Sequence, residues 1–203
     1  MALVQIEPIG WADVDAVVDA HIAAFPTFFL TTMGRGFLRT FYRAFVGEPS
    51  AVALKAFDHS HEFLGFVVGT VEPAGFFKRL LKRRWWAFAG YSALATLRTP
   101  RYAARLLRAV AYRGGPVRPA GYALLSSLAV LPIAQGRGVG KKLVAAWTAH
   151  VSDLKRPGMY LTTDAENNEA TNKFYQGIGL IPSATYRTKE GRRMNVYTKS
   201  LTA

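Results

Sequence analysis

The chain has 203 residues, half of them hydrophobic, and it contains no cysteine. This length and composition suit a single domain with a real core, so a wholly disordered chain is excluded. Disulfides, thiolate metal ligands and a cysteine nucleophile are excluded as well. The 26 Lys and Arg residues against 13 Asp and Glu give a net charge of +13, which favours an anionic partner.

The positive charge is concentrated in the middle of the chain. Residues 73 to 152 form a stretch of 80 residues that holds 14 Lys and Arg and no acidic side chain. The rest of the chain has 12 basic and 13 acidic residues and is close to neutral. A field of one sign attracts phosphates, nucleic acid or an acidic membrane surface. No helix-turn-helix, zinc or ribonucleoprotein motif is present, so we do not expect sequence-specific nucleic-acid binding.

The first part of the chain predicts a strand, two helices and a hairpin. Apolar and polar residues alternate over Leu3–Ile9, which predicts a strand, whereas apolar residues recur at helical spacing over Asp13–Phe25. A second helix is predicted over Phe37–Val46. Val52–Phe57 and Phe63–Val71 are apolar runs joined by a short polar turn, which predicts two antiparallel strands.

Residues Pro73–Ala120 predict a helical insertion between two strands. Six apolar residues at its start fall on one side of a helix: Phe76, Phe77, Leu80, Leu81, Trp85 and Phe88. Further along, Arg101, Arg105 and Arg108 form a basic stripe. Three interpretations stay open. The insertion is a solvated face, an interfacial helix on an anionic membrane through residues 76–113, or a lid over an anionic acceptor such as a nucleotide-linked amino sugar or a lipid-linked precursor.

After the insertion, strands and helices alternate. The predicted elements are a strand at Tyr122–Val130, a helix at Val139–Val151, a strand at Met159–Thr163, a helix from about Glu169 to Ile178, and strands at Ser183–Thr188 and Met194–Leu201.

The loop between the strand at Tyr122–Val130 and the next helix carries the most specific chemistry. Three glycines at alternate positions lead into that helix: Gly136, Gly138 and Gly140. Glycine lets the chain turn sharply and expose its N–H groups, and a helix N-terminus favours an anion. Arg137, Lys141 and Lys142 add positive charge. A diphosphate is therefore a suitable ligand, although the spacings of a dinucleotide fingerprint and of a Walker loop are absent.

The spacing Gln135-x-x-Gly138-x-Gly140, after a strand that ends in Val-x-Pro, resembles the acyl-CoA-binding signature of the GNAT superfamily of N-acetyltransferases. In that family the loop cradles the coenzyme A pyrophosphate, and the strand before it separates from its neighbour and offers main-chain groups to the pantetheine arm. The resemblance thus implies acetyl-CoA as co-substrate, with contacts from Leu128, Ala129, Val130, Gln135, Gly136, Arg137, Gly138, Val139, Gly140 and Lys141.

A second stretch resembles the family's later motif, in which an Asn stands seven residues before a Tyr that is followed by Gly and an apolar residue. By resemblance, Asn168 would hydrogen-bond the pantetheine arm, although an Asn at this place also caps a helix well. Tyr175 would protonate the departing thiolate, although it could also be an aromatic residue that only packs. The main-chain N–H of Val130 would polarise the thioester carbonyl.

Neither motif identifies the group that takes the proton from the acceptor amine. The strand at Tyr122–Val130 carries no carboxylate and no His. By predicted strand order, the nearest titratable candidates for this general base are Glu72, His59 and His61. We single out Glu72, and a relayed water is the alternative. We expect His21, in a helical segment, to be structural.

The resemblance covers nearly the whole chain except residues 73–120. It implies one domain over residues 1–203 of the α/β (α+β) class: a mixed, mostly antiparallel, twisted sheet with splayed central strands, flanked by helices and extended by the basic insertion. The implied reaction is direct attack of a primary amine on acetyl-CoA in a ternary complex, without a covalent enzyme intermediate or a metal. The acceptor would be a small-molecule or sugar-linked amine.

A non-catalytic acyl-CoA sensor and a membrane- or anion-binding module are the alternative functions. The first residues lack the basic and long apolar regions of a signal peptide. We therefore expect a cytoplasmic protein, with contact to the inner face of a membrane as an extension of that expectation.

Overall fold

The computed structural model describes residues 4–26, 28–98, 117, 119–189 and 191–201. In the first half of the chain the elements are β1 (Gln5–Pro8), a 3-10 turn at Trp11–Asp13, α1 (Val14–Ala24), α2 (Phe29–Thr32), α3 (Arg35–Arg43), β2 (Ala51–Phe57), β3 (Phe63–Thr70) and α4 (Pro73–Arg98). In the second half they are β4 (Ala123–Val130), a 3-10 turn at Pro132–Ala134, α5 (Val139–Asp153), β5 (Gly158–Asp164), α6 (Glu169–Gly177), β6 (Ile181–Arg187) and β7 (Arg193–Ser200).

The strands form one seven-stranded sheet in the order β1-β2-β3-β4-β5-β7-β6. Every neighbouring pair is antiparallel except β4 and β5, which run parallel. This arrangement confirms the predicted α/β fold with a mixed, mostly antiparallel sheet. Of the short elements, α2 is one that the sequence pattern did not predict.

The central pair, β4 and β5, is joined only at its beginning. Ala123 pairs with Met159 and Leu124 pairs with Tyr160, and no further pairing follows. Both strands continue beyond this point, β4 for six more residues to Val130 and β5 to Asp164. The sheet therefore opens between them over roughly 20 Å of strand length, at ~3.3 Å per residue. The predicted splay of the central strands is confirmed.

Helices cover both faces of the sheet. On one face α1, α3 and the first part of α4 pack against Phe66, Val68 and Ala129. On the other face α5 and α6 pack against residues that alternate with these, such as Val67 of β3 and Leu125 of β4. The side-chain alternation of a strand sends successive residues to opposite faces, so both cores form from one set of strands.

The described half of the insertion is a long helix that bends. Arg84 has non-helical dihedral angles within α4. Before the bend, Phe76 is buried against Phe45 with ring centroids 4.5 Å apart, and after it Phe88 is buried against Phe37 at 5.1 Å. The bend shifts the helical phase, so the prediction that Trp85 lies on the apolar side is wrong: its side chain is 63% exposed.

The basic stripe at Arg101, Arg105 and Arg108 lies outside the described residues. Among the helices that are described, none combines the length and the apolar composition needed to cross a bilayer.

Candidate active site

The opening between β4 and β5 exposes main-chain groups of alternate β4 residues. Leu131 N–H donates to Leu64 O across the β3–β4 pair at 2.9 Å, which fixes the alternation along the antiparallel ladder. Ala129 and Ser127 therefore bond to β3, since each lies an even number of residues from Leu131. Leu128 and Val130 turn their N–H and C=O groups to the other side, into the opening.

The loop after β4 turns on two glycines. Gly136 and Gly138 have φ of 72° and 78°, in the left-handed region that residues with a Cβ rarely adopt. A Cβ at either position would meet nothing within 4 Å, so this segment borders open space. Gln135 ties the loop to the strand, because its Nε2 donates to Val130 O at 3.2 Å.

Helix α5 begins directly after Gly138. Lys142 N–H donates to Gly138 O at 3.1 Å, so the N–H groups of the three residues before Lys142 precede the helical ladder. Exposed side chains of Arg137, Lys141 and Lys142 surround this helix start. Free N–H groups, the helix dipole and three cations make this terminus suitable for an anion.

Helix α6 packs close to the start of α5. A Cβ at Gly140 would lie 3.3 Å from the Phe174 ring and 3.6 Å from the Val130 side chain. Since Gly140 has no side chain, α5 and α6 approach each other at the end of β4. The structure thus brings together three predicted segments: the strand end, the glycine loop and the helix that carries Tyr175.

Asn168 stands at the start of α6, where its side chain makes no capping bond to the helix. Instead its Nδ2 donates to Thr163 Oγ1 at 2.7 Å and to Asp164 O at 3.1 Å. Asn172, one turn later, donates to the same Asp164 O at 3.0 Å. Together the two amides attach α6 to the end of β5, on the far side of the opening from Val130.

Tyr175 is buried in α6, with 7% of its surface exposed. Its ring packs against Tyr197, with centroids 5.9 Å apart. Burial raises the pKa of the Tyr175 hydroxyl above its usual range, so the phenol stays protonated at neutral pH. The hydrogen bonds found among the described residues include none to this hydroxyl, which leaves its proton available to a ligand.

Glu72 lies at the closed end of the sheet. Thr70 at the end of β3 pairs with Leu124, six residues from Val130. The Glu72 carboxylate contacts two cations there, Arg79 at 3.4 Å and Arg156 at 3.9 Å. The structure therefore does not bring Glu72 to the opening with Tyr175.

The two histidines of the β2–β3 turn are exposed, as the sequence analysis expected. His61 stacks on Phe57, with ring centroids 5.3 Å apart. Asp58 in the same turn has its pKa lowered, mainly by the backbone N–H of Glu62, with smaller contributions from other groups that include Arg137. This turn therefore lies near the glycine loop.

One polar group on β4 had no signal in the sequence analysis. Ser127 is half-buried. Burial raises the pKa of the Tyr42 hydroxyl, and a side-chain contact with Ser127 acts in the opposite direction. That hydroxyl lies 2.6 Å from Nδ1 of buried His21. The three residues come from β4, α3 and α1, so only the folded chain brings them together.

Comparison with known proteins identifies one family model. The family model described as "Acetyltransferase (GNAT) domain" matches residues 108–179. No curated protein matches the sequence.

Solved structures resemble the fold over almost the whole chain at low sequence identity. The ribosomal-protein-S18-alanine N-acetyltransferase of Escherichia coli is 13% identical with a TM-score of 0.61, over 99% of this chain and 96% of that one. NAA60 of Arabidopsis thaliana, solved with a bisubstrate analogue, is 17% identical with a TM-score of 0.60, over 98% of both chains. A protein named SsHAT is 20% identical with a TM-score of 0.69, over 98% and 99%. These similarities show a shared fold.

Proposed function

We propose that this chain is an acetyltransferase of the GNAT superfamily and that it transfers an acetyl group from acetyl-CoA to a primary amine. The observation that carries the proposal is the convergence at Gly140, where the open end of β4, the glycine-led start of α5 and the helix of Tyr175 meet. We infer that an anion site, unpaired strand groups and the protonated phenol of Tyr175 serve one ligand along the opening.

Acetyl-CoA would be held along this opening by main-chain groups. The N–H groups of Gly136, Gly138 and Gly140 and the charge of Arg137 and Lys141 suit the pyrophosphate. The N–H and C=O groups that Leu128 and Val130 turn into the opening suit the amides of the pantetheine arm, as a neighbouring strand would. Gln135 and Val139 shape the loop, and Ala129 contributes through packing.

Asn168 supports the proposal mainly through its position. Its amide nitrogen is engaged by Thr163 and Asp164, so a contact with the pantetheine arm would come from its Oδ1. Its main effect would be to hold α6 against β5 and so to set the place of Tyr175.

In the proposed reaction the amine attacks the acetyl carbon directly. A C–N bond forms and the C–S bond breaks. The nitrogen loses one proton to water, and the sulfur gains one from Tyr175. The N–H of Val130 is suited to polarise the carbonyl as negative charge develops on its oxygen. Tyr175 is suited to give its proton to the departing thiolate, because its hydroxyl is protonated and uncommitted to another described residue.

The experiment is an assay of thiol release from acetyl-CoA with a panel of primary amines. Tyr175→Phe should lower kcat by about a hundredfold, the low end of a typical acid–base contribution, with acetyl-CoA affinity unchanged. Tyr122→Phe, which removes a phenol that lies against Gly158 at the closed end of the β4–β5 pair, is the matched control and should keep wild-type activity.

The acyl-CoA sensor predicts a different result in the same assay. It would bind acetyl-CoA without amine-dependent thiol release, and Tyr175→Phe would change nothing. If the protein binds acetyl-CoA but releases no thiol with any amine, the sensor function would be supported and the transferase function would be rejected.

A second activity, binding to an anionic membrane surface, is favoured by one exposed patch of α4. Trp85 and Trp86 are 63% and 61% exposed side by side, in a part of the chain that has no acidic residue. Lys78, Lys82 and Arg84 are exposed near them. Adjacent exposed tryptophans with basic neighbours suit the interface between lipid headgroups and acyl chains. Phe76 takes no part in this patch because it is buried in the core.

Sedimentation with lipid vesicles tests this second activity. The protein should sediment with vesicles of phosphatidylcholine and phosphatidylglycerol but not with phosphatidylcholine alone, and Trp85→Ala with Trp86→Ala should abolish the effect. Trp11→Ala removes a tryptophan that is 59% exposed elsewhere and is the matched control. Sedimentation that changes neither with the anionic lipid nor with the paired substitution would exclude binding to an anionic membrane surface through this patch.

A further inference from the structure

The place of the Tyr175 phenol is set by packing, because its hydroxyl has no hydrogen-bond partner in the part of the chain that the structure describes. Two described rings contact it: Phe174, at a centroid distance of 5.2 Å, and Tyr197, at 5.9 Å. Phe174 lies on the same helix and moves with it. Tyr197 lies on β7 and is 1% exposed, so of the two it is the contact that places Tyr175 relative to the sheet.

The hydrogen bonds of Asn172 determine how Tyr197 is held. Asn172 Nδ2 faces two main-chain carbonyl oxygens, that of Asp164 at 3.0 Å and that of Asn168 at 2.8 Å. A carbonyl oxygen only accepts, so the amide cannot be turned round, and Oδ1 lies on the opposite side. There Oδ1 accepts hydrogen bonds from Asn195 Nδ2 at 3.1 Å and from the Tyr197 hydroxyl at 2.9 Å. Both atoms of the amide are therefore fully engaged.

The Tyr197 hydroxyl has one hydrogen, which it donates to Asn172. Its oxygen is therefore the acceptor toward Gln176, whose Nε2 lies 3.2 Å away. Gln176 follows Tyr175 directly in the chain, and Asn172 stands three residues before it. The Tyr197 hydroxyl thus bonds to α6 on both sides of Tyr175.

These bonds also restrict rotation of α6 about its own axis. Asn168, Asn172 and Gln176 are spaced four residues apart and so share one face of the helix. Each of the three side chains bonds to β5 or β7, which are neighbouring strands of the sheet. Rotation of α6 would break this row of hydrogen bonds, and the same rotation would carry Tyr175 away from the opening.

We propose that Tyr197 and Asn172 are positioning residues for acetyl transfer, which hold the phenol of Tyr175 within reach of the departing sulfur. This inference rests on the proposed acetyl transfer. Proton transfer needs the donor within hydrogen-bond reach of its acceptor, and a misplacement of about 1 Å can cost about a hundredfold in rate. Loosening this network should therefore lower turnover and leave the binding of acetyl-CoA unchanged.

The experiment measures thiol release with the amine that the panel identifies, and acetyl-CoA binding by calorimetry. Tyr197→Phe keeps the ring and removes the hydroxyl, and it should lower kcat by about tenfold, as the loss of a hydrogen bond can. Its affinity for acetyl-CoA, and the number of molecules bound per chain, should equal those of the wild type. Tyr122→Phe removes a phenol hydroxyl at the closed end of the β4–β5 pair and is the matched control.

A double variant separates positioning from general damage. If Tyr197 acts through the Tyr175 phenol, its hydroxyl should make no difference once that phenol is removed. Tyr175→Phe combined with Tyr197→Phe should then have the kcat of Tyr175→Phe alone, whereas structural damage would lower kcat by the same factor in both backgrounds.

Asn172→Ala tests the same network from its other end. It keeps a good helix former in α6 and removes the acceptor of the Tyr197 hydroxyl. It should lower kcat at least as much as Tyr197→Phe, and the two substitutions together should be no slower than Asn172→Ala alone, because both remove one hydrogen bond.

The outcomes separate this inference from the proposed function. Wild-type protein that transfers acetyl to no amine would overturn both. Transfer that Tyr175→Phe leaves unchanged would overturn the proton donor and the positioning role with it. Transfer that depends on Tyr175 would overturn the positioning role alone in three cases: Tyr197→Phe has no effect, it lowers kcat equally with and without the Tyr175 hydroxyl, or it weakens acetyl-CoA binding.

Discussion

At the scale of single residues, the site depends on groups whose protonation the fold has set in advance. Tyr175 and Tyr42 keep their protons because burial disfavours the phenolate, and His21 stays neutral because burial disfavours the imidazolium. Each group is therefore held in its neutral form without a charged partner.

The burial of neutral His21 makes the free energy of unfolding depend on pH. Its pKa is about 4 in the folded chain against a reference of 6.5. Below the reference value the unfolded state binds a proton that the folded state does not. The contribution of His21 to the free energy of unfolding is therefore fully present above pH 6.5. It is lost as the pH falls toward 4, and the loss reaches roughly 3 kcal/mol.

Chemical denaturation at a series of pH values checks this prediction. The free energy of unfolding of the wild type should fall over that interval more steeply than that of His21→Asn, which cannot titrate. Asp19 and Asp58 also have lowered pKa values, but their contribution is lost only as the pH falls below the reference value of 3.8 and does not obscure the comparison. Equal slopes for the two proteins would show that His21 is not buried in the neutral form.

At the scale of elements, the opening exists because β4 is held on one side only. β3 pairs with β4 along nearly its whole length, with a bulge where Val68 and Gly69 face Ser127 and Leu125. Helix α5 is held behind this strand pair by Trp147, whose Nε1 donates to Val52 O at 3.0 Å. The start of α5, and with it the anion site, is therefore placed by packing at the middle of the helix.

Gly69 is the residue that permits this packing. A Cβ there would lie 2.3 Å from Leu124 O and 2.4 Å from Cζ2 of Trp147, so strand and helix would both have to move. Gly69→Ala should lower the free energy of unfolding by about 1–3 kcal/mol, as overpacking of a core does. Gly177→Ala, where a Cβ meets nothing within 4 Å, is the control. A denaturation midpoint for Gly69→Ala equal to that of the control would contradict the close approach of α5.

The sequence predicted those parts of the site whose geometry depends on local residues. Gly136 and Gly138 were recognisable because a left-handed turn before a helix requires glycine at fixed spacing. The contact between His21 and Tyr42 was not, because the two residues are 21 positions apart and neither has a distinctive neighbour.

Two residues, one just before the insertion and one within it, were misjudged for related reasons. Strand order alone suggested Glu72 beside the opening, but antiparallel pairing of β3 and β4 carries it to the closed end. The exposure of Trp85 follows from the bend at Arg84, which the sequence does not predict because no Gly or Pro stands at this position. In both cases the outcome depends on how elements pack together and not on the local pattern.

At the scale of the whole molecule, the fold places its basic side chains in different surroundings. The cations at the start of α5 border the opening, whereas Arg79 and Arg83 of α4 are committed to Glu48, at 2.8 and 3.1 Å. The exposed Lys78 and Lys82 are left to contribute to the surface around the exposed tryptophans. A positive field of this extent draws anionic ligands toward the molecule before any specific contact forms.

Calorimetric titration with acetyl-CoA tests the central claim, that the opening beside β4 and the start of α5 form an acyl-CoA site. The wild type should bind one molecule per chain, and Gly138→Asp should weaken binding by at least about tenfold, because it places a carboxylate and a strained φ where the pyrophosphate is expected. Gly191→Asp makes the same change at φ of 84° in the open turn before β7 and should bind like the wild type. No binding by the wild type, or equal binding by both variants, would contradict the account.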